Sequence, residues 1–179
     1  MKRRSFLNSG ALGILGISSF NFNNSPYKNL DHVKISLTPW SIIRSGYESN
    51  DPLDIKLLEF PGVAKSLGFD YIDLEMGHFP TKLKTSYINK LNKSIDSARV
   101  KSAVMLTGGS GDIADKDLSK RKKALEIYKY WIDVAADLNC RAVRNVCGEY
   151  ITISHDEKLK YAIEGVGELA NYAKSKGII

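Results

Sequence analysis

The stretch Leu67-Gly68-Phe69-Asp70-Tyr71-Ile72-Asp73-Leu74-Glu75 indicates the fold, because a predicted helix ends in it and a predicted strand follows at once. Residues 54–67 have a helical pattern, in which we expect Pro61 to open a fresh turn, since proline is tolerated in a first turn and not mid-helix. Gly68 suits the position just after a helix, where a left-handed backbone favours glycine. The run Tyr71 to Glu75 then predicts a strand.

The same alternation continues on both sides of this stretch. Strand patterns occupy residues 33–38, 100–106 and 141–146, and helical patterns occupy residues 85–98, 119–138 and 157–176. The last predicted helix carries one apolar stripe, made of Leu159, Ala162, Ile163, Val166, Leu169, Ala170 and Ala173. Gly177 is expected to end that helix, and Ile178-Ile179 is typical of a fifth strand just beginning.

Strands that alternate with helices predict an α/β fold with parallel pairing through right-handed crossovers. Four such units and the start of a fifth fit the first half of a (β/α)₈ TIM barrel over residues 29–179. The chain has 179 residues, whereas a complete barrel typically has about 250, so we expect a fragment. A doubly wound open sheet fits the pattern almost as well. No Gly-x-Gly-x-x-Gly follows the first strand, so a dinucleotide-binding fold has no support.

The N-terminus has the features of an export signal. The run Lys2-Arg3-Arg4 puts positive charge first, and a moderately apolar run from Gly10 to Phe20 follows, too short to span a bilayer as a stable helix. The adjacent arginines resemble a twin-arginine signal, an address read by an export receptor. We therefore expect residues 1–28 to be a twin-arginine signal and linker, cleaved or kept as a membrane anchor, and the protein to be exported to the periplasm.

Charge and cysteine usage narrow the function classes. The formal net charge is +6, and the N-terminal run supplies three of those charges, so the mildly basic remainder does not favour a nucleic-acid partner. The cluster Lys120-Arg121-Lys122-Lys123 is expected to be a solvated helix face. Cys140 and Cys147 bracket a predicted strand, which separates them by roughly 20 Å, whereas disulfide-bonded Cα atoms lie about 5.5 Å apart. We expect two free thiols.

The candidate site residues come from the strand ends, because active sites of parallel β/α barrels lie at the C-terminal ends of the strands. Trp40 follows the first strand, and its flat apolar face suits the C–H face of a sugar ring, or else it belongs to the core. Asp73 and Glu75 share strand parity, and paired carboxylates can hold metal or move protons. The alternative is a structural ion pair between Asp73 and Arg144, which lies on the fourth strand.

Three further features carry weaker signals. The spacing Glu75-x-x-His78 is a weak metal motif, and we expect His78 to be a surface histidine. His155 begins a helix and is expected to be a capping or exposed residue. The loop from Gly108 to Asp112 lacks the Gly-Lys-Ser/Thr ending of a phosphate loop, but its glycines allow the hinge motion of a lid.

Several short segments, taken in order and spacing, carry a family resemblance. They are Trp40-Ser41, Leu58 to Ala64, Leu67 to Asp73, Lys101 to Met105, Gly111 to Ile113, Arg121, Trp131, Ala135-Ala136, Leu138 to Arg144, Gly148 and Leu169 to Ile178. Together they resemble the sugar phosphate isomerase/epimerase proteins, which are xylose isomerase-like TIM barrels. The similarity covers residues 33–179.

The resemblance implies a sugar or sugar phosphate isomerase/epimerase. In such enzymes a divalent metal (Mn, Mg, Zn or Co) bridges sugar oxygens, and carboxylates move a proton through an enediolate. The family's metal ligands come from strands five to eight, so we expect none in this chain and expect the fragment to be inactive. The partner is expected to be a small sugar or sugar phosphate, and a homo-oligomer is compatible with the resemblance. The expected substrate-binding residues are Trp40, Asp73, Glu75, Arg144 and Asn145.

The chain departs from the family pattern at two places. Asp73 stands where the family often has Glu, and Arg144-Asn145-Val146 stands where similar proteins more often show Arg-Val-Asn, which bears on the orientation of Asn145. Two other functions stay open. One is an exported carbohydrate-binding protein without catalysis, and the other is a phosphodiester hydrolase related to the apurinic endonucleases of the same superfamily.

Overall fold

The strands of the described residues form one parallel sheet in the order β1-β2-β3-β4. The structure is a computed structural model, and it describes residues 34–43, 55–109, 111–147 and 153–179. The strands are β1 (Ser36–Leu37), β2 (Tyr71–Glu75), β3 (Lys101–Thr107) and β4 (Ala142–Asn145). Sequential neighbours throughout argue against the doubly wound alternative, because the strand order of that fold reverses at a switch point.

Helices follow the strands and cover one face of the sheet. They are α1 (Phe60–Ser66), α2 (Thr85–Ala98), α3 (Leu118–Asp137) and α4 (His155–Ser175), with short 3₁₀ turns at Pro39–Ser41 and Met76–His78. The core lies between this helix layer and the sheet, and its fully enclosed side chains include Phe60, Ile72, Leu74, Leu91, Met105, Tyr128 and Leu138. Among the described residues, no helix combines the length and apolarity needed to cross a membrane.

The residues before Ile35 belong to a separate unit, Met1–Lys34, of which only Lys34 is described. The predicted twin-arginine signal and linker, residues 1–28, therefore lie outside the described residues and stay a prediction. Of the predicted first strand, 33–38, only Ser36–Leu37 is strand within the described part.

The first helix is shorter than its sequence pattern predicted. α1 begins at Phe60, and Pro61 occupies its first turn, as expected. A proline ring there would clash with the carbonyl of Leu57 in a longer helix, so the preceding residues form a turn instead. Gly68 follows α1 with φ of +90°, which confirms the predicted left-handed position.

The chain reaches a fifth strand position at its last described residue. The N–H of Ile179 donates to the carbonyl of Arg141 at 3.1 Å, and the carbonyl of Ile179 accepts from the N–H of Val143 at 3.1 Å. One residue that bonds to two alternate residues of its neighbour is the pattern of a parallel ladder. Ile179 therefore lies beside β4, as predicted for the start of a fifth strand.

The predicted apolar stripe of the last helix is only partly covered. Leu169 and Ala173 are buried at 5% exposure each, whereas Leu159 and Ile163 are 51% and 64% exposed. The stripe is therefore covered near the end of the helix and open to solvent near its start. Helical periodicity identifies an apolar face, but a neighbouring element decides whether that face is buried.

Two predictions about charge and thiols can be judged directly. Cys140 and Cys147 are both free, as predicted. Within the basic cluster at the start of α3, Lys120, Lys122 and Lys123 are exposed. Arg121 differs, because its guanidinium lies 4.0 Å above the ring of Tyr161 and so joins α3 to α4.

Candidate functional site

Residue parity divides each strand between two faces. In β2, Ile72 and Leu74 are fully buried in the helix layer, so Asp73 and Glu75 lie on the opposite face. Glu75 pairs with Leu106 of β3, and Leu106 pairs with Arg144 of β4. Glu75 and Arg144 therefore stand at the same level of that face, two strands apart, with Cα atoms roughly 10 Å from each other.

Asp73 lies one level lower on the same face. Burial raises the pKa of Asp73, while hydrogen bonds from the Ser36 hydroxyl and the Val104 N–H act in the opposite direction. Its Oδ1 is buried and has no hydrogen-bond partner. No ion pair joins Asp73 to Arg144 among the described residues, and the register explains this, because Val104 beside Asp73 pairs with Ala142 rather than with Arg144.

His78 is buried, and the prediction of a surface histidine is therefore wrong. The residue is 3% exposed, and its Nδ1 lies 2.8 Å from Oε2 of Glu75. The two atoms are close but are not aligned as a hydrogen bond. The same Oε2 accepts the N–H of Gly77 at 3.0 Å. A 3₁₀ turn, Met76–His78, follows β2 directly and places the histidine three residues after Glu75, the last residue of that strand.

Trp40 contacts this group from the turn that follows the neighbouring strand, β1. It lies in the 3₁₀ turn Pro39–Ser41, and its ring meets that of His78 edge to face, with centroids 5.3 Å apart and planes at 77°. Trp40 is nevertheless 67% exposed. The structure therefore brings Trp40, Glu75 and His78 together at the C-terminal ends of β1 and β2.

Asn145 lies on the other side of the sheet. It pairs with Thr107, whose side chain is buried, and Asn145 lines a cavity of about 170 Å³ on the helix side of β4. The other lining residues are Tyr128, Ile132, Val143, Val166, Leu169, Ala170, Ala173 and Ile179. The structure thus does not bring Asn145 together with Arg144, and its predicted contact with substrate stays a prediction.

A buried tyrosine holds the loops that leave β3 and β4. The hydroxyl of Tyr128, in α3, lies 3.1 Å from the carbonyl oxygen of Val146 and 3.4 Å from that of Gly111. Gly111 has φ of +93°, and a Cβ there would lie 3.2 Å from Cβ of Ala124, so glycine is required. The sequence showed Tyr128 only as an apolar position on a helix face, and nothing in the pattern indicated its hydroxyl contacts.

The remaining candidates have plainer surroundings. His155 is exposed in the first turn of α4, as expected, and Ser154 with Glu157 forms the capping box. The loop from Gly108 to Asp112 is described except at Ser110, and its role as a lid stays a prediction. Within the described ranges, no three side chains of His, Cys, Asp or Glu converge to hold a metal ion.

Comparison with known proteins gives a family match. The family model described as "Xylose isomerase-like TIM barrel" matches residues 61–179, which is more than half of the chain. None of the curated proteins searched matches the sequence.

Three solved structures illustrate the likeness of fold. A D-psicose 3-epimerase crystallised in the presence of D-fructose is 14% identical, with a TM-score of 0.68 over 81% of this chain and 50% of that one. The D-psicose 3-epimerase of Clostridium cellulolyticum H10 with D-tagatose is 16% identical, with a TM-score of 0.67 over 81% and 50%. An IolI protein with a bound zinc atom is 16% identical, with a TM-score of 0.60 over 81% and 49%.

Proposed function

The chain belongs to the xylose isomerase-like TIM barrel family, and we propose that it forms one wall of a sugar-binding site in an isomerase or epimerase. It spans about half the length of the solved epimerases it matches. The observation that carries the proposal is the meeting of Trp40, Glu75 and His78 at the C-terminal strand ends, the edge at which barrels of this kind place their sites.

Each side chain has a distinct task in this proposal. The exposed indole of Trp40 stacks on the C–H face of the sugar, since a flat apolar ring complements that face. Arg144 is exposed at the level of Glu75, and its guanidinium donates hydrogen bonds to a hydroxyl or a phosphate of the sugar. Glu75, which is 7% exposed, orders the histidine beside it.

Proton transfer next to the sugar carbonyl is the proposed reaction class. A divalent metal bound at such a site polarises the carbonyl and acidifies the neighbouring C–H. The described residues do not supply a three-ligand set for that metal, so no step is assigned to a metal in this chain. We propose instead that the ligands come from further strands of the full-length protein.

Sugar titration followed by tryptophan fluorescence tests the binding role. We expect saturable binding of a ketohexose such as D-fructose, loss of the response in Trp40→Ala, and weaker binding by several-fold in Arg144→Ala. Leu67→Ala is the matched control, because Leu67 is 48% exposed at the opposite ends of the strands. A response that survives unchanged in Trp40→Ala, or no saturable response at all, overturns the proposal.

Deuterium exchange tests the reaction. In D₂O with Mn²⁺, the full-length protein is expected to exchange a carbon-bound hydrogen of the sugar for deuterium, as seen by NMR, and Arg144→Ala is expected to slow that exchange. Sugar binding without any exchange points to a carbohydrate-binding protein instead.

A further inference from the structure

His78 is a polar residue with an unusual degree of enclosure. It is 3% exposed although it lies on a three-residue turn at the end of a strand. Histidines are on average only intermediate in burial, so enclosure at a strand end calls for a physical reason. Its contacts with the Glu75 carboxylate and with the Trp40 ring contribute to that enclosure.

The contact between His78 and Glu75 lies within the 3₁₀ turn that follows β2. Glu75 is held by the Gly77 N–H and lies 2.8 Å from His78 Nδ1. Gly77 leaves room for this carboxylate, because a Cβ at that position would lie 3.0 Å from Oε2. Phe79, 4% exposed, packs against Trp131 at 5.3 Å and so anchors the end of the turn in the core.

The second contact of His78 is with Trp40, a residue whose side chain is largely exposed. The backbone of Trp40 is fixed, since Pro39 is buried and accepts the N–H groups of Ile42 and Ile43. The indole itself is 67% exposed, and its ring meets that of His78 edge to face. A side chain that must be ordered on binding weakens affinity, whereas one already held in place does not.

We propose that His78 is a positioning residue that holds the indole ring of Trp40 in one orientation, with Glu75 and Gly77 holding the histidine in turn. The role of the held indole as a platform for sugar depends on the proposed function above. The restraint on Trp40 does not depend on it, because the contact exists in the protein without any ligand. Specificity then depends on a histidine that touches no substrate atom.

Fluorine NMR of the whole chain labelled with 5-fluorotryptophan tests the restraint directly. The chain has two tryptophans, and Trp40→Phe identifies the Trp40 signal by its loss. In His78→Ala we expect that signal to shift and to change its width as the indole gains freedom, while the Trp131 signal stays in place. His78→Phe keeps a ring in contact and should retain a single shifted signal, and Glu75→Gln should move the Trp40 signal less than His78→Ala does. His155→Ala, at the exposed histidine of α4, is the matched control and should change neither signal.

The outcomes separate this proposal from the proposed function. A Trp40 signal that is unchanged in His78→Ala, with the Trp131 signal also unchanged, overturns the positioning role. If His78→Ala fails to fold, both signals collapse together. The positioning role is then decided by whether His78→Phe and Glu75→Gln change the Trp40 signal while the Trp131 signal stays in place. Sugar affinity is then measured on the same samples, and we expect a several-fold loss in His78→Ala. Absence of sugar binding in every protein contradicts the proposed function alone, since the fluorine signals are recorded without sugar.

Discussion

The phenolic hydroxyl of Tyr128 lies 3.1 Å from the carbonyl oxygen of Val146 and so ties helix α3 to the loop that leaves β4. The hydroxyl is protonated at neutral pH and able to donate, and burial raises the pKa of Tyr128 further. The ring is only 1% exposed, so the contact lies in the core of the protein.

Replacing Tyr128 by Phe is therefore expected to destabilise the protein. Loss of one such hydrogen bond lowers the free energy of unfolding by about 1 kcal/mol, and urea denaturation measures the change. Tyr130→Phe removes the same atom from a ring of the same helix that is 46% exposed, and it should change stability little. Equal effects of the two substitutions would contradict the buried role of the Tyr128 hydroxyl.

Stability should depend on pH through Asp73. Burial raises the pKa of this carboxyl above its ordinary 3.8, so in the window between the ordinary and the raised pKa the folded state keeps a proton that the unfolded state has lost. Stability attributable to Asp73 is then present below that window and falls as pH rises through it.

Asp73→Asn removes this ionisation while keeping the shape of the side chain. We expect the free energy of unfolding of the variant to improve relative to the parent as pH rises from below 3.8 to neutrality, measured by urea denaturation at several pH values. Asp96→Asn, on the exposed surface of α2, serves as the control. If the difference in free energy of unfolding between the parent and Asp73→Asn does not change with pH, the proposed pH dependence through Asp73 is contradicted.

Two leucines of α4 should respond very differently to truncation. Leu169 is 5% exposed and Leu159 is 51% exposed. Leu169→Ala leaves a cavity and is expected to cost about 2–5 kcal/mol of stability, whereas Leu159→Ala is expected to change stability by less than about 0.5 kcal/mol. Thermal or urea unfolding of the pair is the measurement, and similar losses would show that the outer half of the stripe is covered in solution.

The two thiols should differ in reactivity. Burial raises the pKa of Cys140 to about 12. Since only the thiolate reacts quickly, a thiol reagent should modify Cys140 slowly in the native protein at mildly alkaline pH. Cys147 is partly exposed and should react first. Titration with a chromogenic disulfide reagent is expected to show one fast thiol in native protein, lost in Cys147→Ser, and two in denaturant. A fast thiol that persists in Cys147→Ser would contradict the burial of Cys140.

The secondary structure was largely predictable because its signals are local. The strand at Tyr71–Glu75 and the helix at Thr85–Ala98 have the bounds that their periodicity predicted. The first helix was predicted too long. The apolar spacing continues through the residues before Pro61, but the proline ring does not allow those residues to be helical, and they form a turn.

The candidate site was predictable only in part. Trp40, Asp73, Glu75 and Arg144 were selected by their places at strand ends, and the strand register sets Glu75 level with Arg144 on the face away from the helices. The burial of His78 and its contact with Trp40 had no counterpart in spacing, since that contact joins turns of two different strands.

The sequence by itself determined the alternation of strands and helices, the two free thiols and the residues offered at the strand ends, since each follows from spacing within one short segment. Only the tertiary structure decided which side chains meet there, that Asp73 and Arg144 do not pair, and that half of the α4 stripe is uncovered. The physical reason is that register, burial and neighbouring elements belong to pairs of segments, and a periodic pattern describes only one.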